Sequence, residues 1–120
     1  MIVGVGVDTI EIHRVLKACQ RQHFVQKIFS HREREQFDSK MRRAASDFAG
    51  KEAVVKVLGT GFDGIEANEI EILRNESGAP YVNLCGRAEE KARELQISDF
   101  MISITNTKEL ATAFVVGVRG

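Results

Sequence analysis

The chain has no tryptophan, a single proline and only two cysteines among its 120 residues. The two thiols, Cys19 and Cys85, stand alone in apolar contexts. No Cys-x-x-Cys or Cys/His spacing is present, so a structural zinc site and a disulfide framework are both excluded, and a reduced, cytoplasmic compartment fits best. The formal net charge is zero. That removes the bulk electrostatic attraction on which nucleic-acid binding depends, so no nucleic-acid partner is expected. No apolar run approaches the length of a membrane span, and the N-terminus lacks the basic start and apolar stretch of a signal peptide. No membrane partner is expected either. Low-complexity tracts and internal repeats are missing too. A chain of this length buries roughly two-thirds of its unfolded surface on folding, so one domain over residues 1–120 needs no staple.

Apolar residues make up 43% of the chain and charged residues 28%. This is the balance of an ordinary globular protein. The chain is organised around Phe48-Ala49-Gly50-Lys51-Glu52-Ala53-Val54-Val55-Lys56-Val57-Leu58. The pattern predicts a long helix from about Arg42 to Leu58, closed by Gly59 as a left-handed cap. Glu52 and Lys56 are four residues apart and share one face. A routine ion pair between them is the plain reading of that spacing.

Ile2-Val3-Gly4-Val5-Gly6-Val7 predicts a strand with valines on one face. Gly4 and Gly6 leave the other face open to close approach. Asp8 follows, and two roles compete for its oxygens: capping the next helix and ligating a metal. Residues 10–28 are expected to be helical, with Arg14, Lys17, Arg21 and Lys27 on a basic side. Such a side is either solvated or a docking surface for an acidic partner. Ser30 and Glu33 have capping-box spacing for a short helix to about Phe37. Glu69–Leu73 and Tyr81–Leu84 predict two strands joined by a turn, with Pro80 at the strand start. Gly86–Leu95 has an amphipathic helical pattern. Phe100–Thr105 and Leu110–Val118 predict a hairpin around Asn106–Glu109. The expected fold class is α+β: a mainly antiparallel sheet with the long helix packed on it.

Four stretches, in order, resemble the holo-acyl-carrier-protein synthase family of 4′-phosphopantetheinyl transferases. They are Gly4-Val5-Gly6-Val7-Asp8-Thr9-Ile10-Glu11; Phe48-Ala49-Gly50-Lys51-Glu52-Ala53 continuing to Lys56 and Gly59-Thr60-Gly61; Gly78-Ala79-Pro80-Tyr81; and Ser103-Ile104-Thr105-Asn106-Thr107-Lys108-Glu109. The resemblance implies that phosphopantetheine passes from coenzyme A to a serine of an apo acyl carrier protein, releasing adenosine 3′,5′-bisphosphate. It implies Mg2+ as cofactor, with Asp8 and Glu52 as ligands, and Lys56 beside the transferred phosphate. It further implies coenzyme A contacts by Lys51, Lys56, Gly59, Pro80, Thr105 and Asn106, although Lys51 is equally placed to be a partner of Glu52. Arg14, Lys17 and Arg21 correspond to the carrier-docking surface. A homotrimer with active sites between subunits is expected on the same ground.

Two positions depart from the family pattern. Asn106 stands where histidine is usual, and Asp47 where an arginine is usual. Asparagine still donates a hydrogen bond but carries no charge. Asp47 is expected to place a repelling charge near the coenzyme A phosphates unless Arg42 or Arg43 substitutes. The alternative expectation is therefore a slow or non-catalytic homologue that binds coenzyme A or a carrier protein.

Overall fold

The computed structural model describes all 120 residues. Strand β1 (Ile2–Glu11) leads into two short helices, α1 (Ile12–Ala18) and α2 (Gln22–Ile28), then α3 (His31–Glu35) and the long α4 (Arg42–Leu58). A 3-10 turn (Ala67–Glu69) opens a hairpin of β2 (Ile70–Arg74) and β3 (Pro80–Leu84). Helix α5 (Gly86–Glu94) and the strands β4 (Asp99–Asn106) and β5 (Leu110–Val118) complete the chain. The class is α+β, with every strand pair antiparallel. The strands form two sheets rather than one: β1-β5-β4, and the separate pair β2-β3.

The helix expected over residues 10–28 is interrupted twice. Strand β1 runs on to Glu11 because Thr9, Ile10 and Glu11 pair with Thr112, Ala111 and Leu110. The Ile12 amide then donates to the Glu109 carbonyl, so ladder bonds win over helical ones. After Ala18 the Gln20 and Arg21 amides tighten onto Lys17 and Ala18, which ends α1. Asp8 therefore lies inside a strand and caps no helix. The capping box forms as expected: Ser30 Oγ accepts from the Glu33 amide at 3.2 Å and Glu33 Oε1 from the Ser30 amide at 3.0 Å.

Helix α4 is the centre of the molecule. Twelve of its residues are buried, on all sides, between sheet β1-β5-β4, strand β2 and the N-terminal helices. Small side chains permit this. A Cβ on Gly6 would run into the Ala53 carbonyl, and one on Gly50 would meet Ile72 at 2.9 Å. Ala53, Val54, Ile70, Ile72 and Val115 form the main core, each wholly buried. A second cluster gathers Ile12, Val15, Phe29 and Ala44. Each fully buried large aliphatic contributes about 1.5–3 kcal/mol. Strand β2 is buried on both faces, not alternating, because α3 covers the side that carries Glu71. There Ser30 Oγ donates to Glu71 at 2.6 Å and Asn83 Nδ2 at 2.7 Å.

Candidate active site

Alternation along β1 turns Gly6, Asp8 and Ile10 toward α4 and turns Val5 and Val7 away. Gly6 lets the helix come close, and Asp8 thereby faces the second half of α4. Lys56 Nζ donates to Asp8 Oδ1 at 3.1 Å and to the Val7 carbonyl at 2.8 Å. The expected Glu52–Lys56 pair is thus replaced by Asp8–Lys56, and Glu52 pairs with neither lysine. Burial pushes the Glu52 carboxyl above the usual range, and the charge of Asp8 pushes it further, against the pull of Lys56. Two carboxylates that repel one another, with one cation held by only one of them, have room for a further positive charge. The donor set fits Mg2+: two hard oxygen ligands, with no third acid, histidine or cysteine to build a closed cage.

Glu52 lines a cleft of about 400 Å³ with Ile28, Phe48, Phe62, Ile65 and Ala67. A second cleft of about 430 Å³ lies across Phe48, walled by Thr9, Arg14, Val15, Phe24 and Leu110. Phe48 is therefore the partition between the two. Arg14, Lys17 and Arg21 are exposed and border one shallow depression along α1. The predicted docking residues are brought together on the side where the second cleft opens.

Five predicted coenzyme A contacts sit elsewhere. Lys51 is wholly buried and its donors are taken: Glu33 Oε1 at 2.7 Å, the Ala67 carbonyl at 3.0 Å and the Ile70 carbonyl. This corrects the expected role, since no donor is left for a phosphate or for Glu52. Gly59 is exposed and caps α4 at φ 76°. Pro80 opens β3 opposite Arg74. Thr105 lies on the outer face of the sheet opposite Thr112, whose hydroxyl meets that of Thr9 at 2.8 Å. Asn106 belongs to β4 rather than to a turn, and its Nδ2 donates to Ser46 Oγ at 2.8 Å. Nearby, Arg42 donates to the Thr107 carbonyl at 2.8 Å and so ties the β4–β5 turn to the start of α4.

Asp47 does not repel at the site as expected. It is 1% exposed and accepts from Arg74 Nη1 at 2.8 Å. Burial raises its carboxyl to about 7 despite Arg74. The residues that sequence reasoning missed are Glu33, Glu71 and Arg74, which together pair or satisfy the polar groups under α4. Glu33 had already been assigned as a cap. Its second bond, to a lysine eighteen positions away, has no local signature.

In this α+β chain the first strand brings Asp8 against the helix that carries Glu52 and Lys56, and two carboxylates with a lysine are a set that metal-assisted phosphoryl transfer can use. The comparisons specify it. Residues 4–115 match the model of the 4′-phosphopantetheinyl transferase superfamily. The chain is 55% identical over 117 residues to the holo-[acyl-carrier-protein] synthase of Lachnoclostridium phytofermentans, covering 98% of this chain and 96% of that protein. It is similar to the holo-(acyl-carrier-protein) synthase of Bacillus anthracis solved in complex with CoA (3′,5′-ADP). That match has a TM-score of 0.81 at 29% identity and covers 100% of this chain and 99% of that one. It is also similar to the Helicobacter pylori synthase solved with coenzyme A, with a TM-score of 0.85 at 28% identity, covering 95% and 99%. The chain belongs to the 4′-phosphopantetheinyl transferase superfamily, and it is an enzyme of that class.

Proposed function

We propose that residues 1–120 form one phosphopantetheinyl transferase domain. It moves the 4′-phosphopantetheine group of coenzyme A to a serine of an apo acyl carrier protein and releases adenosine 3′,5′-bisphosphate. The observation that carries this reading is the meeting of Asp8 and Lys56 with Glu52, which lines the cleft, in a chain so similar to a named synthase. The new bond joins the serine oxygen to the phosphorus that bears the pantetheine arm. The bond that breaks links that phosphorus to the bridging oxygen of the pyrophosphate. Glu52, with its carboxyl raised by burial and by Asp8, is the base that takes the serine proton. Lys56 is held in place by Asp8 and the Val7 carbonyl, and offsets charge that gathers on the leaving phosphate. Asp8 and Glu52 would hold Mg2+, which when bound neutralises pyrophosphate oxygens. Arg14, Lys17 and Arg21 receive the acidic carrier protein.

Assembly as a homotrimer, with active sites between subunits, is supported by the outer face of sheet β1-β5-β4. Val5, Val7, Met101 and Phe114 are 53%, 51%, 62% and 45% exposed there, a cluster of large apolar side chains that a partner copy would cover. Thr105 shares that face, so a neighbouring copy would bring it beside a second site. Cys19 and Cys85 are free thiols, as suits the cytoplasm. No helix is long and apolar enough to cross a membrane.

Intact-mass spectrometry of an apo carrier protein with coenzyme A, Mg2+ and this enzyme tests the proposal. One phosphopantetheine should be gained, and Glu52→Gln should lower the rate by about 100-fold or more. No gain over a range of enzyme and Mg2+ concentrations would refute transfer, and full activity in Glu52→Gln would refute the assigned base. The second reading, a binder without chemistry, draws on the Asn106 amide being engaged by Ser46. Calorimetric binding of coenzyme A without turnover would favour it.

A further inference from the structure

Three chain segments wall the cleft that contains Glu52, and a single buried ion pair ties α4 to the approach to β2 and to α3, which follows α2 directly. Lys27 and Ile28 come from α2, Phe48 and Glu52 from α4, and Ile65 and Ala67 from the approach to β2. The Lys51 ammonium, on α4, donates to the carbonyls of Ala67 and Ile70 and to Glu33. Glu33 in turn accepts from the Ser30 amide at 3.0 Å and the Ile72 amide at 2.9 Å. Ala67 belongs to both structures: its carbonyl takes Lys51 while the residue lines the cleft. Helix α2 has no wholly buried residue; its Phe24, Val25 and Ile28 pack on the cluster around Phe29, and the chain then runs through Ser30 to Glu33. The Phe29 ring lies 5.5 Å from the Lys51 ammonium and closes the cluster. An apolar pair of the same volume would fill this space, but it would not specify direction as five hydrogen bonds do.

We propose that the Lys51–Glu33 pair is a positioning device. It sets the span of the Glu52 cleft between α2 and the Ala67 turn, and so governs turnover without touching a substrate. The proposal rests on transfer taking place at Glu52. Lys51 points into the protein, on a different side of α4 from the residue that follows it. Misplacing cleft walls by a fraction of an ångström slows a positioned reaction far more than it weakens docking at a remote surface.

The test compares Lys51→Met with the double variant Lys51→Met/Glu33→Met. Removing one partner strands a buried charge and destabilises the chain, whereas removing both restores much of the stability. The expected result is that the double variant, folded by circular dichroism, regains thermal stability over Lys51→Met but keeps a kcat reduced by about tenfold or more. Its KM for the carrier protein stays within about twofold, because Arg14, Lys17 and Arg21 lie outside the clamp. A kcat that recovers together with stability would overturn the proposal and leave the pair a purely structural one. Amide hydrogen exchange supplies a readout independent of transfer. Faster exchange confined to residues 27–33 and 65–72 supports the clamp, and uniform acceleration that includes β5 contradicts it. If the unsubstituted chain transfers nothing, the functional reading fails by itself and the exchange pattern still decides the clamp. If the double variant does not fold, Glu33→Gln takes its place: a kcat reduced by about tenfold with KM within about twofold supports the clamp, and an unchanged kcat overturns it.

Discussion

Replacing Asp47 by asparagine should flatten the pH dependence of stability. Asp47 is 1% exposed; Oδ1 accepts from Arg74, and Oδ2 has no hydrogen-bond partner. Burial holds the carboxyl at about 7 in the folded chain, against 3.8 for an ordinary aspartate. Between those values the folded chain retains a proton that the unfolded chain has released. Stability therefore falls as pH rises through this window, and the favourable contribution is complete only below 3.8. The separation between 3.8 and about 7 corresponds to about 4 kcal/mol, of which more than half falls between pH 5 and 8. Asparagine keeps an acceptor for Arg74 and has no charge to bury. Urea unfolding followed by circular dichroism at pH 5, 6, 7 and 8 measures the effect, since the chain lacks tryptophan. The variant's stability relative to the parent should rise by about 2–3 kcal/mol between pH 5 and pH 8. Parallel profiles, offset by a constant amount, would refute the assignment of that proton to Asp47.

Gly6→Ala should cost about 3 kcal/mol in urea unfolding, because its methyl group meets the Ala53 carbonyl, which α4 cannot withdraw. Little or no loss would mean that β1 and α4 are less closely packed. Reversing charge at Arg14 and Arg21 together should raise the KM for the carrier protein by about tenfold and weaken its salt dependence, with kcat near that of the parent. An unchanged KM would place docking elsewhere. Phe114→Lys puts a charge in the centre of the exposed sheet face and should move the sedimentation coefficient toward that of a monomer. A coefficient identical to the parent's would remove that face from the assembly.

Local features were legible wherever neighbours along the chain carry the information. The Ser30–Glu33 box, the Gly59 cap and the glycines of β1 each followed from spacing alone, and each is present. What was misread depended on distant partners. The helix expected over residues 10–28 lost its first residues to β5, a strand about a hundred positions away. Glu71 is covered by α3, and nothing in its own strand reveals that. Asp47 was expected to repel phosphate because Arg74, which pairs with it, is 27 positions further on.

Helix α4 shows why Lys51 departs from the role the resemblance implied while Glu52 and Lys56 share one face. Successive residues turn by about 100°, so Lys51 diverges from Glu52 by that angle, whereas Glu52 and Lys56 stay within about 40° of each other. A helix apolar on nearly every side has no solvent to which a diverging lysine can turn. Ala49, Gly50, Ala53 and Val54 are all buried around it. A cation there must carry its counterion inside, and Glu33 is that counterion. The half-exposed side that Glu52 and Lys56 share is the part of the helix still open to a ligand. The division of one helix into a buried charge and an accessible pair is what allows the same element to support the core and present the site.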